Sequence, residues 1–213
     1  SVRFMGDRAY MVTFVQIDPL FVIDLSEPTN PEVLGELKVT GYSSYLHPYD
    51  EDHLIGIGKE TEEGKWGPVE TGVKLSLFDV SDVSDPKQVS KHVIEGGWTY
   101  TPVMNDHKAF LFDRDKNLLV IPARINSQIA GVYTTWQGAY VFNLTAEEGF
   151  NLKGTIGHEE KETASEDYYA WRNYNNYVKR SLFIDDVLYT VSNNLVKFNE
   201  PEDLDLVDMV EIG

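Results

Sequence analysis

An all-β fold is predicted for this chain, and three observations predict it. Runs rich in Val, Ile, Leu, Phe and Tyr, each of strand length, alternate with short stops rich in Pro, Asn, Asp and Ser. The runs come in pairs, and each pair is joined by a turn of a few polar residues. The pairs also recur in phase along the 213 residues.

Each recurring unit opens on one hairpin and closes on another. The opening hairpins are VRFMGDRAYMVTF (2–14), YLHPYDEDHLIGIG (45–58), AFLFDRDKNLLVIPA (109–123) and SLFIDDVLYTVS (181–192). Gly6-Asp7, 50–53, 113–117 and Asp185-Asp186 supply their turns. The closing hairpins are LFVIDLSEPTNPEVLGELKV (20–39), LSLFDVSDVSDPKQVSKHVI (75–94), AYVFNLTAEEGFNLKGTIG (139–157) and LVKFNEPEDLDLVDMVEI (195–212). Their apolar runs end on Asp24, Asp79, Asn143 and Asn199, at intervals of 55, 64 and 56 residues. These side chains are expected to cap the following turns through bonds to the backbone. Two hairpins make four antiparallel strands, and four-stranded units at this spacing are the blades of a β-propeller. A β-sandwich of eight hairpins would lack the phasing.

The expectation is one propeller region over 1–213 with blades at 1–39, 44–94, 108–157 and 179–212, strands a to d running outward in each. The order a, b, c, d at both ends points to four consecutive blades of a larger propeller, a complete four-bladed ring being the alternative. Open blade edges would let two copies self-associate.

The stretches SVRFMGDRAYMVTF, DPLFVIDLSEPTNPEVLGELKV, YSSYLHPYDEDHLIGIGKE, VKLSLFDVSDVSDPKQV, HKAFLFDRDKNLLVIP and VKRSLFIDDVLYTVS resemble secreted prokaryotic proteins that carry a C-terminal β-propeller distantly related to WD repeats. The resemblance covers essentially the whole chain. It implies a secreted or cell-surface protein of a bacterium or archaeon, and no catalytic residues to carry over. The WD dipeptide is absent, so the likeness to WD repeats is one of architecture.

Composition narrows the partners. Eighteen basic residues against 35 acidic ones leave a net charge of −17, which argues against nucleic acid and anionic membrane surfaces. No apolar run approaches the ~20 residues of a spanning helix. Cysteine is absent, excluding disulfides and thiol chemistry. The chain opens on SVRFMGDRAY without an initiator Met, which reads as a mature or trimmed start.

Propeller topology sends the b–c and d–a connections to one face. The long segments all fall there: 58–72 and 122–137 as b–c loops, 95–106 and 157–177 as d–a loops. Each contains one of the four tryptophans, Trp66, Trp98, Trp136 and Trp171. Tyr100, Tyr133, Tyr169 and Arg172 join them as candidate ligand-binding residues. Amphipathic rings give large contact area for few rotatable bonds, which suits protein interfaces and sugar stacking.

Chemistry finds less support. DRDKN (113–117) opens like a calcium loop, but Leu118 replaces the required glycine and Arg124 the bidentate glutamate. No cofactor is therefore expected, calcium being the residual candidate. His47, Asp50 and His53 lack a helix to array them for zinc. There is no G-x-S-x-G elbow. His47 and His107 remain weak catalytic candidates, placed where strand a enters at the central mouth. The expected function is a non-catalytic extracytoplasmic binding module for a protein, peptide or cell-envelope glycan. A structural scaffold, or a hydrolase or lyase working at the central mouth, are the alternatives.

Overall fold

The structure, a computed structural model, describes residues 1–13, 18–96, 98–129, 132–158 and 175–212. It contains four four-stranded antiparallel sheets, each built from strands consecutive in sequence. Sheet one runs β1 (Val2–Met5), β2 (Arg8–Val12), β3 (Asp18–Asp24) and β4 (Glu32–Val39). Sheet two runs β5 (Tyr42–Pro48), β6 (His53–Gly64), β7 (Gly67–Asp79) and β8 (Lys87–Glu95). Sheet three runs β9 (Leu111–Asp113), β10 (Leu118–Ile129), β11 (Val132–Thr145) and β12 (Gly149–Gly157). Sheet four runs β13 (Arg180–Ile184), β14 (Val187–Val191), β15 (Leu195–Asn199) and β16 (Leu206–Glu211). The phased hairpins of the sequence thus become the blades of an all-β propeller fold.

The stops in the sequence close the turns as their chemistry requires. Asp24 Oδ1 accepts the Ser26 N–H at 2.9 Å, and Asp79 Oδ1 accepts that of Ser81 at 2.9 Å. Asn199 instead donates through Nδ2 to the Leu204 carbonyl at 2.8 Å. The residue after the stop ties back to the blade's first turn. Leu25 donates its N–H to Asp7 O, Val80 to Asp52 O and Leu144 to Asn117 O, each at 2.8 Å. Asn117 and Asp185 take the left-handed conformation in their turns, at φ 52° and 53°, which short polar side chains tolerate.

The chain divides into two compact units, Ser1–Glu95 with Thr145–Phe150, and Gly96–Leu144 with Asn151–Gly213. In the first, Tyr10, Val12, Leu20 and Val22 of sheet one join Leu46, Leu54, Phe78 and Val80 in one buried cluster. Close approach is enforced at Gly35, where an added Cβ would lie 2.2 Å from the Val83 carbonyl oxygen. In the second unit, Leu118, Val120, Ala139, Val141 and Ile156 cluster with Leu188 of sheet four. The middle of β6 is buried on both faces, which is why LIGIG reads as a continuous apolar run rather than an alternating one.

Two expectations are corrected. Residues 58–72 and 122–137 are not long loops. β6 and β7 pair out to Gly64–Gly67, and β10 and β11 pair out to Ile129–Val132. Backbone pairing satisfies groups that a loop would leave to water, and the β-branched and aromatic residues of 125–136 favour the ladder. His47 does not enter at the mouth. It is the penultimate residue of β5, next to the first hairpin turn of sheet two.

Candidate functional site

In the first unit, the b–c connection is a two-stranded ribbon extending beyond its neighbours. β5 pairs with β6 only as far as Tyr42–Lys59, and β8 with β7 only to Gly72–Glu95. The ribbon's base is fixed by charge. Lys59 Nζ lies 3.1 Å from Glu70, Tyr42 OH donates to Glu70 at 2.9 Å, and Lys91 Nζ meets the buried Glu60 carboxylate at 2.8 Å. Burial pushes the Glu60 carboxyl up, but bonds from Lys91 and Thr40 and the nearby Lys74 and Lys91 charges outweigh it, holding the group below its ordinary value. Lys74, fully buried, donates to the Thr40 carbonyl. At the tip stands Trp66, 91% exposed, with Lys65 Nζ 5.3 Å from its ring centroid.

In the second unit, the d–a connector lies along β10 where β9 has ended. β9 covers only Leu118–Val120, leaving the extension of β10 with an open edge. Tyr100 fills it, exchanging both backbone hydrogen bonds with Arg124 at 2.8 Å. Asn126 donates through Nδ2 to the Trp98 carbonyl at 3.0 Å, and its Oδ1 accepts from Thr135 Oγ1 at 2.8 Å. Thr99 Oγ1 bonds the Gly96 carbonyl at 2.9 Å, and Gly96 takes φ 143°, where a Cβ would also meet Ile125. Trp98 is anchored through its carbonyl by Asn126 and is itself 80% exposed.

The Arg124 guanidinium lies 5.9 Å from the Tyr100 ring centroid, and its buried Nε has no hydrogen-bond partner among the described residues. Asn105 Nδ2 donates to Tyr100 OH at 3.1 Å. Beyond the connector, Thr101 Oγ1 donates to the Pro122 carbonyl at 2.7 Å and caps the 3-10 turn Pro102–Met104. Asp106 caps the next one, His107–Ala109, and pairs with Arg180 at 2.5 Å. The Lys108 N–H and the Arg180 guanidinium hold the Asp106 carboxyl below the usual range.

The structure therefore splits the candidates. Trp66 and Trp98 present their rings to solvent. Trp136 is half-buried, edge-on to Tyr140 at 5.5 Å and closed over Gly138, so it packs its own sheet. Tyr133 pairs with Gln128 in the ladder, and its side chain lies outside the described residues, as do Tyr169, Trp171 and Arg172.

Each histidine has its own local setting. His47 Nδ1 is bonded to Tyr45 OH at 2.9 Å, and burial with Arg3 nearby lowers it to about 4. His53 pairs with Asp50 at 2.9 Å, and His107 is exposed on its 3-10 turn. Asp113 accepts the Lys116 N–H within its own turn, and Asn143, expected to cap a turn, lies within strand β11. Arg124, Asn126 and Asn105 complete the Trp98 site without having been singled out from sequence. Arg124 alone left a signal, a charge inside the apolar run LLVIPAR. A separate cleft of about 410 Å³ lies at the first-turn end of sheet one, lined by Asp7, Arg8, Asp24 and Glu51 among others.

Residues 1–204 match the β-propeller domain family. The chain belongs to that family. This β-propeller domain chain is similar to an uncharacterised protein of Methanocaldococcus jannaschii, with 37% identity over 211 residues, 99% of the chain and 28% of that protein. It is also similar to an uncharacterised protein of Archaeoglobus fulgidus, with 44% identity over 129 residues, 61% of the chain and 19% of that protein. It spans about a quarter of the length of the curated relatives it matches. No helix among its described residues is long and apolar enough to cross a membrane.

Proposed function

We propose that the chain is a non-catalytic, extracytoplasmic β-propeller module that binds a protein, peptide or cell-envelope glycan through its exposed tryptophans. The observation that carries this reading is the exposure of Trp66 and Trp98 on backbone that is itself fixed. A tryptophan left in water forgoes a large burial gain, and rigid aromatic anchors of this kind dominate binding surfaces. Neighbouring groups suit a polar ligand with an apolar face: Asn126 and Thr135 beside Trp98, Lys65 over Trp66.

The test follows intrinsic fluorescence during titration with solubilised envelope glycans and, separately, with envelope-derived peptides. A saturable change with one class, lost in the Trp66→Ala/Trp98→Ala double variant whose far-UV dichroism is unchanged, is the expected result. Binding that survives the double substitution, or no response to either class, refutes the reading.

A further inference from the structure

The surface around Trp98 is set apart from the rest of the chain by its charge. Segments 96–105 and 124–138, 25 residues in all, carry one charged side chain, Arg124, in a chain where a quarter of the residues are charged. Exposure does not account for this, because the ribbon of sheet two, residues 59–71, carries six.

Within the second unit, the register gathers the polar groups of these segments. Arg124 and Asn126 stand two residues apart on β10 and so share a face, with Gln137 and Thr135 opposite them on β11. Tyr100 is bridged to Arg124 and stacks its ring on the guanidinium, while Trp98 is tied to Asn126. The Asn126–Thr135 bond leaves one Asn126 N–H and the lone pairs of Thr135 Oγ1 available to a hydroxyl. The half-buried Arg124 guanidinium makes no ion pair and no side-chain hydrogen bond among the described residues, and its buried Nε is left without a partner. An acceptor would offset that desolvation. A chain with 35 acidic residues could readily supply one, yet these segments contain none. Asp106, the first acid along the connector, is already paired with Arg180.

We propose that the Trp98 site binds a carboxylate-bearing glycan, a sugar ring lying on Trp98 while its carboxylate takes the guanidinium of Arg124; this rests on the reading of Trp98 as a ligand platform. A planar guanidinium matches a carboxylate through two parallel hydrogen bonds, and the Tyr100 ring holds it in place for them. Two strand residues, the interval from Asn126 to Arg124, cover roughly 7 Å, which one sugar unit with its exocyclic carboxylate can span. An extended peptide would instead need the open edge of β10, and Tyr100 has filled that edge at Arg124 with its own backbone hydrogen bonds. The net charge of −17 does not oppose an acidic ligand here, since charges more than ~8 Å away are largely screened at physiological salt.

The test is calorimetric titration, at physiological salt, with trigalacturonic acid and with its fully methyl-esterified form, which differ in the carboxylate charge. The wild-type chain is expected to bind the acid at least about tenfold more tightly than the ester. Arg124→Met, which keeps the apolar stem, should bind the acid no better than the ester; Arg124→Lys should keep part of the preference, and Trp98→Ala should lose both ligands. Equal affinity of the wild-type chain for acid and ester overturns the proposal, and so does a preference that survives Arg124→Met. A tripeptide with a free C-terminal carboxylate that binds as tightly as the acid overturns the assignment to a glycan while leaving the tryptophan platform standing. No response of the wild-type chain to either sugar also overturns it; the tryptophan reading falls only if envelope glycans and peptides leave the fluorescence unchanged as well. Should Arg124→Met lose its far-UV signature, the comparison of acid with ester on the wild-type chain decides alone.

Discussion

His158 makes the stability of the second unit depend on pH in a way that can be isolated. Its ring, carried by the residue that follows β12, is buried, with Nε2 2.8 Å from the buried Thr190 hydroxyl and Nδ1 without a partner among the described residues. Lys197 stands close by, its Nζ donating to the Gly157 carbonyl at 2.9 Å. Burial, and then the Lys197 charge, lower the imidazole to about 4, against about 6.5 in an unfolded chain. Above pH 6.5 both states are neutral and the group contributes nothing to the balance. Between 6.5 and 4 the unfolded chain binds a proton that the folded chain refuses, so stability falls as pH falls, and below 4 the loss is complete. The full difference is about 3 kcal/mol, nearer 2 after solvent screening.

Many carboxylates titrate over the lower part of this range, so the measurement is a difference. Urea unfolding of wild type and His158→Gln, whose amide can still bond Thr190, is followed from pH 7.5 to 4. The variant's stability relative to wild type should rise by about 2 kcal/mol or more across the window. A constant offset between the two curves would show that the ring is charged, or solvated, in the folded state, and the argument from burial would fail.

Two further outcomes probe the fold. Phe78→Ala opens the cluster between sheets one and two and should cost about 3–5 kcal/mol in urea unfolding, with a loss below 1 kcal/mol showing that the ring is not packed there. Gln137 binds the backbone of Val178 on both sides, accepting its N–H at 2.7 Å and donating to its carbonyl at 2.8 Å. Gln137→Leu should cost about 1–3 kcal/mol and expose the Val178 amide to hydrogen exchange, whereas retained protection would mean another group holds it.

The blades were legible because each carries its own punctuation. Asp24 and Asp79 sit where an apolar run meets a Ser/Pro turn, and both perform the capping that position implies. The ribbons were not legible. Glu60, Glu62, Glu63 and Glu70 make 58–72 look like a solvated loop, since a ribbon exposed on both faces shows no apolar alternation. His47 was misplaced because one strand reads the same in either direction, and only the turn at 49–52 tells its exit from its entrance. The Trp98 site rests on the Tyr100–Arg124 bridge, a pairing between distant residues that no local pattern announces. Trp136 had a local sign: Trp136, Gly138 and Tyr140 share one strand face, and a glycine between two rings makes room for them to pack.

The uninterrupted strand order within every sheet has a kinetic meaning as well. Each strand pairs only with the next one made, so the ladder of a blade needs no contact reaching back to an earlier blade. All-β proteins usually fold slowly because their pairings span much of the chain. Here the loop to be closed at each pairing step is short, and Leu25, Val80 and Leu144 fasten a third strand onto a hairpin already formed. Emerging from a ribosome, the chain can finish the ladder of one blade before the next is synthesised, which keeps unpaired strand edges few and brief.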